Sequence, residues 1–458
     1  MKNKPEAVSS ANARQEDYPN QIYAWYVVGV LTVAYIFSFI DRQIINLLVE
    51  PIRADLQLTD TQISLVQGIA FALFYTLMGI PIARLADAAN RRAIIAAGVF
   101  LWSLMTVMCG LAKSFGQLFA ARIGLGVGAA ALSPPAFSLF TDYFPPGKVT
   151  RAIAVFSGGS FLGAGLAYII GGFVVDFVTR LDVVDVPVFG QIRAWQMAFI
   201  VVGLPGILLA LLVLSLREPA RRGLLGDQPG AVPKGIPIRE IIAFLRKNRR
   251  TYGHHFIGAS MFVMLAHAIL SWAPAFFIRK YGWTPGEVGL IYGSMLLVFG
   301  TSGVVGAGWI ADALRRRGYT DANLRVVMIG ALCCTPFGAA AFLVDNIWLA
   351  VALMAPFTFL WALPHGISPA AIQTVTPNQM RAQFSALYLL TVNLIGLGIG
   401  PTFVALLTDY LYEDPALVGH SLATMVAISA PLSALILYTG LKYYRDSLAE
   451  AEQGWQKL

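Results

Sequence analysis

The chain has 458 residues, of which 57% are hydrophobic and only 13% charged, with a mean hydropathy of +0.67, whereas soluble domains carry about 25% charged residues. This composition excludes a soluble globular protein and reads as a multi-pass membrane protein. The net charge of +8 does not call for nucleic acid, because the basic residues lie where membrane orientation and anionic headgroups want them.

Residues 1–23 form a polar tail with neither the apolar core nor the cleavage site of a removable signal peptide, so the first span is expected to act as its own targeting signal. Apolar runs of about 20 residues then predict twelve helices near 24–49, 61–86, 93–112, 117–143, 151–178, 195–216, 252–278, 286–311, 325–344, 347–373, 382–410 and 418–441. The tail 1–23, the even-numbered loops and the C-terminal tail hold 25 Lys and Arg residues, against six in the opposite loops. Both termini are therefore expected in the cytoplasm, and the chain in a cell membrane of bacterial inner-membrane type. The two remaining basic residues, Arg42 and Arg122, fall inside spans one and four. Cys109, Cys333 and Cys334 and the five histidines have no metal-site or disulfide spacing, so no metal and no cofactor is expected.

Residues 59–92 align without a gap on 284–317, with ten identical pairs that include Thr59/Thr284, Gly68/Gly293, Asp87/Asp312, Arg91/Arg316 and Arg92/Arg317. A six-span unit has been used twice, which suits two halves rocking about a central site. The fold class that follows is an all-α integral membrane protein with twelve transmembrane helices in two pseudo-symmetric six-helix bundles. Its expected parts are a cytoplasmic tail 1–23, a bundle 24–216, a basic cytoplasmic linker 217–250, a second bundle 251–445 and a tail 446–458. Within the linker, residues 237–250 space Ile238, Ile241, Ile242 and Leu245 along one face of a helix expected to lie on the membrane surface.

The stretch FSFIDRQIINLL, residues 37–48, places Asp41 beside Arg42 within span one. Each charge costs about 2.5–3.5 kcal/mol at mid-membrane, and intramembrane ionisable residues are functional by default. At about 1.5 Å per residue, Asp41 and Arg122 lie at overlapping depths on oppositely directed helices. The expected arrangement turns Asp41 toward Arg122, and Arg42 toward a central cavity and its substrate. Burial opposes ionisation of the acid and a nearby arginine favours it, so a changing distance between them would couple protons to motion. A static ion pair pinning two helices is the alternative.

The repeat offset maps Asp41 onto Ala266 and Arg42 onto His267, so the second half lacks a matching acid. It is expected to supply apolar substrate surface instead. Candidate binding residues are Arg42, Arg122, His267, Trp272, Phe357, Trp361 and His365, with Phe262, Met264 and Phe359 also on spans seven and ten. The repeated Asp-x-x-x-Arg-Arg, Asp87 with Arg91 and Arg92 and then Asp312 with Arg316 and Arg317, is expected to latch one conformation, since aspartates contribute little to topology. The glycines of spans four, five and eleven read as close packing and sliding.

The pieces Arg84-Leu-Ala-Asp-Ala-Ala-Asn-Arg-Arg92, Gly308-Trp-Ile-Ala-Asp-Ala-Leu-Arg-Arg-Arg317 and Arg122-Ile-Gly-Leu-Gly-Val-Gly128 resemble motifs of major facilitator superfamily transporters. Asp41-Arg42, Asn90, Ser133-Pro-Pro135, Asp142-Tyr-Phe-Pro145 and Gly163-Ala-Gly-Leu-Ala-Tyr-Ile-Ile-Gly-Gly172 resemble its Spinster branch. The resemblance implies spans one, four, seven and ten around a cavity, Asp142 among the latch residues, and substrates of lysolipid or sphingolipid type. Where that branch often carries a glutamate, this chain has Ala129-Ala130, which leaves Asp41 to carry protons.

The expected function is a secondary active transporter and not an enzyme, a monomer in the lipid bilayer that moves an amphipathic, lysolipid-like molecule with protons by alternating access. A multidrug/proton antiporter, an organic-anion/proton symporter and a substrate receptor of transporter fold are the alternatives.

Overall fold

The computed structural model describes residues 18–180, 184–186, 190–221, 238–377 and 380–453. Twelve helices in it are long and apolar enough to cross a membrane: Gln21–Leu47, Asp60–Ala86, Arg91–Gly110, Phe115–Tyr143, Lys148–Thr179, Ala194–Ser215, Arg249–Tyr281, Pro285–Arg316, Ala322–Leu343, Ile347–Thr374, Gln383–Tyr412 and Pro415–Glu452. Hydropathy located every one, here spans one to twelve. It missed what is not apolar. A helix Val49–Leu56 prolongs span one, and an antiparallel hairpin, Val184–Val186 with Gly190–Ile192, lies between spans five and six. Span twelve continues to Glu452 as an amphipathic extension.

The repeated sequence has a structural counterpart. Thr59 and Thr284 each form a capping box at the start of spans two and eight, in which the threonine N–H donates to Gln62 Oε1 at 3.0 Å and to Glu287 Oε2 at 2.8 Å, respectively. The repeated glycines sit where the halves meet. A Cβ on Gly68 would lie 2.7 Å from the Leu397 carbonyl oxygen of span eleven, and one on Gly293 would lie 2.7 Å from that of Gly165 in span five. Neither position admits a side chain without separating the halves.

Span four breaks after Ala129 and resumes at Ser133, with prolines in the first turn of its second segment, where they are tolerated. Span eleven contains wide turns over Asn393–Ile399 and Leu407–Tyr412, and span eight has one over Leu296–Gly300. Such turns mark places where a helix is deformed. All three fall in helices that pack against the opposite half.

The linker contains a helix, Ile238–Lys247. Its docking face is centred one residue away from the isoleucine-led face that the spacing suggested. Phe244, 2% exposed, packs against Tyr252 and Phe384 with ring centroids 6.2 and 5.6 Å away, and Ile241 and Leu245 flank it. Ile242 points outward and is 44% exposed. The aromatic ring has more area to bury than either isoleucine, so it sets the docking face.

Candidate functional site

Span one carries Asp41 and Arg42 on successive residues, about 100° apart around the helix, and they face different surroundings. Arg42 points toward the seam between the halves. Its guanidinium lies 4.7 Å from the Phe71 ring centroid and 5.8 Å from that of Phe39, and Tyr35, Tyr75 and Tyr168 stand around it. Among the described residues its guanidinium forms no ion pair and no hydrogen bond.

Arg42 lines a small pocket with Gln43, Asn46, Gln67, His267, Leu270, Ser271 and Leu397. The free volume of about 10 Å³ holds roughly one water molecule. It is therefore the apex of closure, and a ligand must part the halves to enter. Arg42 and His267, matched by the repeat offset, meet in this pocket. His365 of span ten stands near His267 and stacks edge-on to Trp361 at 6.1 Å.

Amide side chains tie the apex across the two halves. Asn46 Nδ2 donates to Gln43 Oε1 at 2.7 Å, to the Tyr168 hydroxyl at 3.0 Å and to the Leu270 carbonyl at 3.2 Å. Gln67 Nε2 donates to Asn46 Oδ1 at 3.0 Å and to the Ser271 carbonyl at 3.3 Å. The Tyr168 hydroxyl also donates to the Leu270 carbonyl.

Arg122 is fully buried and donates to three backbone carbonyls: Val66 at 3.1 Å, Asp41 at 3.4 Å and Arg42 at 3.2 Å. The expected contact with the Asp41 carboxyl is not made in this conformation. The Asp41 side chain lies instead against Trp102 and Thr106 of span three and Gly206 of span six.

The other expected binding residues divide. Trp272 donates its indole N–H to the Pro401 carbonyl at 2.9 Å and lies under Arg279. Phe357 packs on Gly338 and Phe342 within the second bundle. Phe359 packs on Gly303 and Gly306, and the Phe262 ring edge lies near Gly330. None of these four reaches the apex. The aromatic wall around Arg42 comes instead from spans one, two and five, because helix rotation turns most aromatics of spans seven and ten into their own bundle.

On the face bearing the termini, Arg91 is 1% exposed and bonds Asp142 at 2.5 Å, Glu218 at 2.8 Å and both oxygens of Ser138 at 3.0 Å. The Arg92 backbone N–H donates to Glu218 at 3.0 Å and its guanidinium to the Leu216 carbonyl at 2.6 Å. The structure thus brings Arg91, Arg92 and Asp142 together, with Glu218 a partner that the motif did not signal. The Asp87 side chain lies outside the described residues.

The second copy differs. Asp312 bonds Arg315 at 2.8 Å on an exposed surface, while Arg316 and Arg317 form no ion pair among the described residues. The buried acid there is Asp321, held by Arg325 at 2.5 Å and Arg445 at 2.8 Å. Each of these networks stays within its own half.

On the opposite face the ion pairs cross between halves. Arg279, at the end of span seven, grips Asp60 with two parallel bonds of 2.6 and 2.8 Å, Glu50 at 2.6 Å and the Pro415 carbonyl at 3.0 Å. Asp60 is fully buried and also has Arg53 at 3.5 Å. Two clasps flank this cluster. Asp409 of span eleven accepts from the Thr61 N–H at 2.7 Å and hydroxyl at 2.6 Å, at the start of span two. Asp176 of span five accepts from the Gly286 N–H at 3.0 Å, at the start of span eight. Carboxylates are favoured at such helix N-termini. In the sequence Arg279 reads only as an opposite-loop charge, and Asp60, Asp176 and Asp409 carry no signal, because the partners across the halves lie more than 100 positions away.

Two six-helix bundles sealed on one face, around an apex holding an unpaired guanidinium and beside a buried acid, fit a secondary transporter. The chain belongs to the Major Facilitator Superfamily, whose family profile matches residues 31–401. It is 29% identical over 445 residues to an MFS-type efflux pump of Mycolicibacterium smegmatis, covering 93% of this chain and 95% of that one. It is 23% identical to a D-galactonate transporter of Escherichia coli, over 90% and 95% of the two chains. The structure of a bacterial homologue of the human lysosomal transporter Spinster, inward-facing and unoccupied, superposes with a TM-score of 0.77 at 27% identity, covering 94% of this chain and 98% of that one.

Proposed function

We propose that this multi-pass membrane transporter moves an amphipathic anion of lysolipid or sphingolipid type, linked to protons through Asp41 and Arg122. The observation that carries the substrate reading is Arg42. A guanidinium held at the closed apex without a carboxylate, against Phe39 and Phe71, is a receptor for an anionic headgroup. Its aromatic and apolar neighbours suit a molecule that is not hydrophilic throughout. The likeness to the Spinster homologue supports the same class.

The excess of Lys and Arg supports termini in the cytoplasm, and with that orientation the sealed face is the outer one and the conformation faces inward. One observation favours a second reading, a sugar-acid symporter: Gln43, Asn46 and Gln67 line the apex and would suit a hydroxylated anion like that of the D-galactonate transporter.

A thermal-shift panel of lysophosphatidate, sphingosine phosphate, galactonate and a cationic drug separates these readings. Stabilisation by the two lipid phosphates is expected. Stabilisation by galactonate alone would establish the second reading, and by the drug alone would reject both.

A further inference from the structure

Resting on the proton-linked reading above, we infer that the cleft between spans one, three and six is the seat of the proton-loaded Asp41 side chain, and that Thr106, Trp102 and Ser103 are its positioning residues.

Both Asp41 carboxyl oxygens are buried and without a hydrogen-bond partner, and so are the Trp102 indole nitrogen and the Ser103 hydroxyl. These orphans share one small space. Trp102 and Thr106 adjoin the carboxyl. A Cβ added to Gly206 would collide with the Ser103 hydroxyl while lying 3.9 Å from Asp41 Oδ2, so that glycine keeps the space open.

An ionised carboxylate in such a place, with no hydrogen bond, costs several kcal/mol. A neutral carboxylic acid costs far less, and the surrounding groups match it. The Thr106 hydroxyl spends its hydrogen on the Trp102 carbonyl at 3.0 Å, which leaves its lone pairs to accept the carboxylic O–H. The indole N–H is donor only and suits the carbonyl oxygen of the same acid. The proposed proton-loaded state is the one in which the Asp41 carboxylic acid makes both of these bonds.

Arg122 corroborates this assignment, because its N–H groups are on backbone carbonyls and not on the acid. The charged and titratable groups that face Asp41 are Arg122 from span four and Cys109 from span three; span six presents Gly206. Discharge then follows one route. As the inner face closes, the carboxyl swings toward Arg122, its proton passes to cavity water, and the carboxylate gains the guanidinium as partner.

The test is infrared difference spectroscopy of the full chain in detergent, titrated with acid, which reads the C=O stretch of a neutral carboxylic acid without needing a substrate. Wild type should show a band that Asp41→Asn removes. Thr106→Val should move that band to higher wavenumber and weaken proton binding about fivefold, the value of one hydrogen bond of about 1 kcal/mol. Thr106→Ser should restore both, which guards against a folding defect.

Failure takes distinguishable forms. An Asp41 band that Thr106→Val and Trp102→Phe both leave unmoved overturns the cleft assignment and spares proton linkage. Absence of the band at every pH at which the protein stays folded, with pH-dependent transport still lost in Asp41→Asn, does the same. Transport that keeps its pH dependence in Asp41→Asn overturns both.

Discussion

Arg279→Ala is expected to open the sealed face opposite the termini and shift the protein away from the conformation described above. The guanidinium supplies three bonds that hold span seven to the first half, one to Glu50 and two to Asp60, and Asp60 beneath it is fully buried. Removing one partner of a buried, hydrogen-bonded pair costs about 3–5 kcal/mol, chiefly through the charge left behind. Set against a conformational equilibrium of a few kcal/mol, that moves populations by about two to three and a half orders of magnitude. Spin-label distances between spans two and eleven on the sealed face should lengthen in the variant. Adding Asp60→Asn removes the stranded charge and should recover most of the closed population, because the penalty is electrostatic. Unchanged distances in Arg279→Ala would show that the flanking clasps at Asp409 and Asp176 suffice.

Arg42→Ala is expected to abolish recognition of anionic substrates while leaving the fold intact. The side chain carries no structural hydrogen bond, so its removal strands no partner. Losing a desolvated charge contact to a ligand costs about 2–5 kcal/mol, which weakens binding from about thirtyfold to several thousandfold. Arg42→Lys keeps the charge but not the planar fork, and its affinity should fall between the two. Isothermal calorimetry with lysophosphatidate and with a neutral monoacylglycerol separates the causes. The anion should lose affinity and the neutral lipid should not; equal losses would assign Arg42 to packing.

The sequence made the bilayer-crossing elements legible, because a span must be apolar over its whole length wherever it packs. The repeat was legible for a similar reason: Thr59 and Thr284 cap local turns, and Gly68 and Gly293 meet equivalent backbones, so each pair is constrained alike. The depth of Asp41, Arg42 and Arg122 could be counted along the helices. Their directions could not, since rotation of each helix depends on packing against several others. That is why Trp272 and Phe357 point into the second bundle while Phe71 and Tyr75 surround Arg42. The sealing cluster was missed because Glu50, Asp60 and Arg279 join only through tertiary contact. Nothing local distinguishes a gate arginine from a topology anchor.

The central claim is that one acid beside span three exchanges a proton as the halves rock. Its most direct test measures flux of a stabilising substrate in proteoliposomes across a range of pH, for wild type and Asp41→Asn. Wild type should show a pH-dependent rate and the variant a flat profile, with substrate binding retained. A variant whose flux follows pH as wild type does would contradict it.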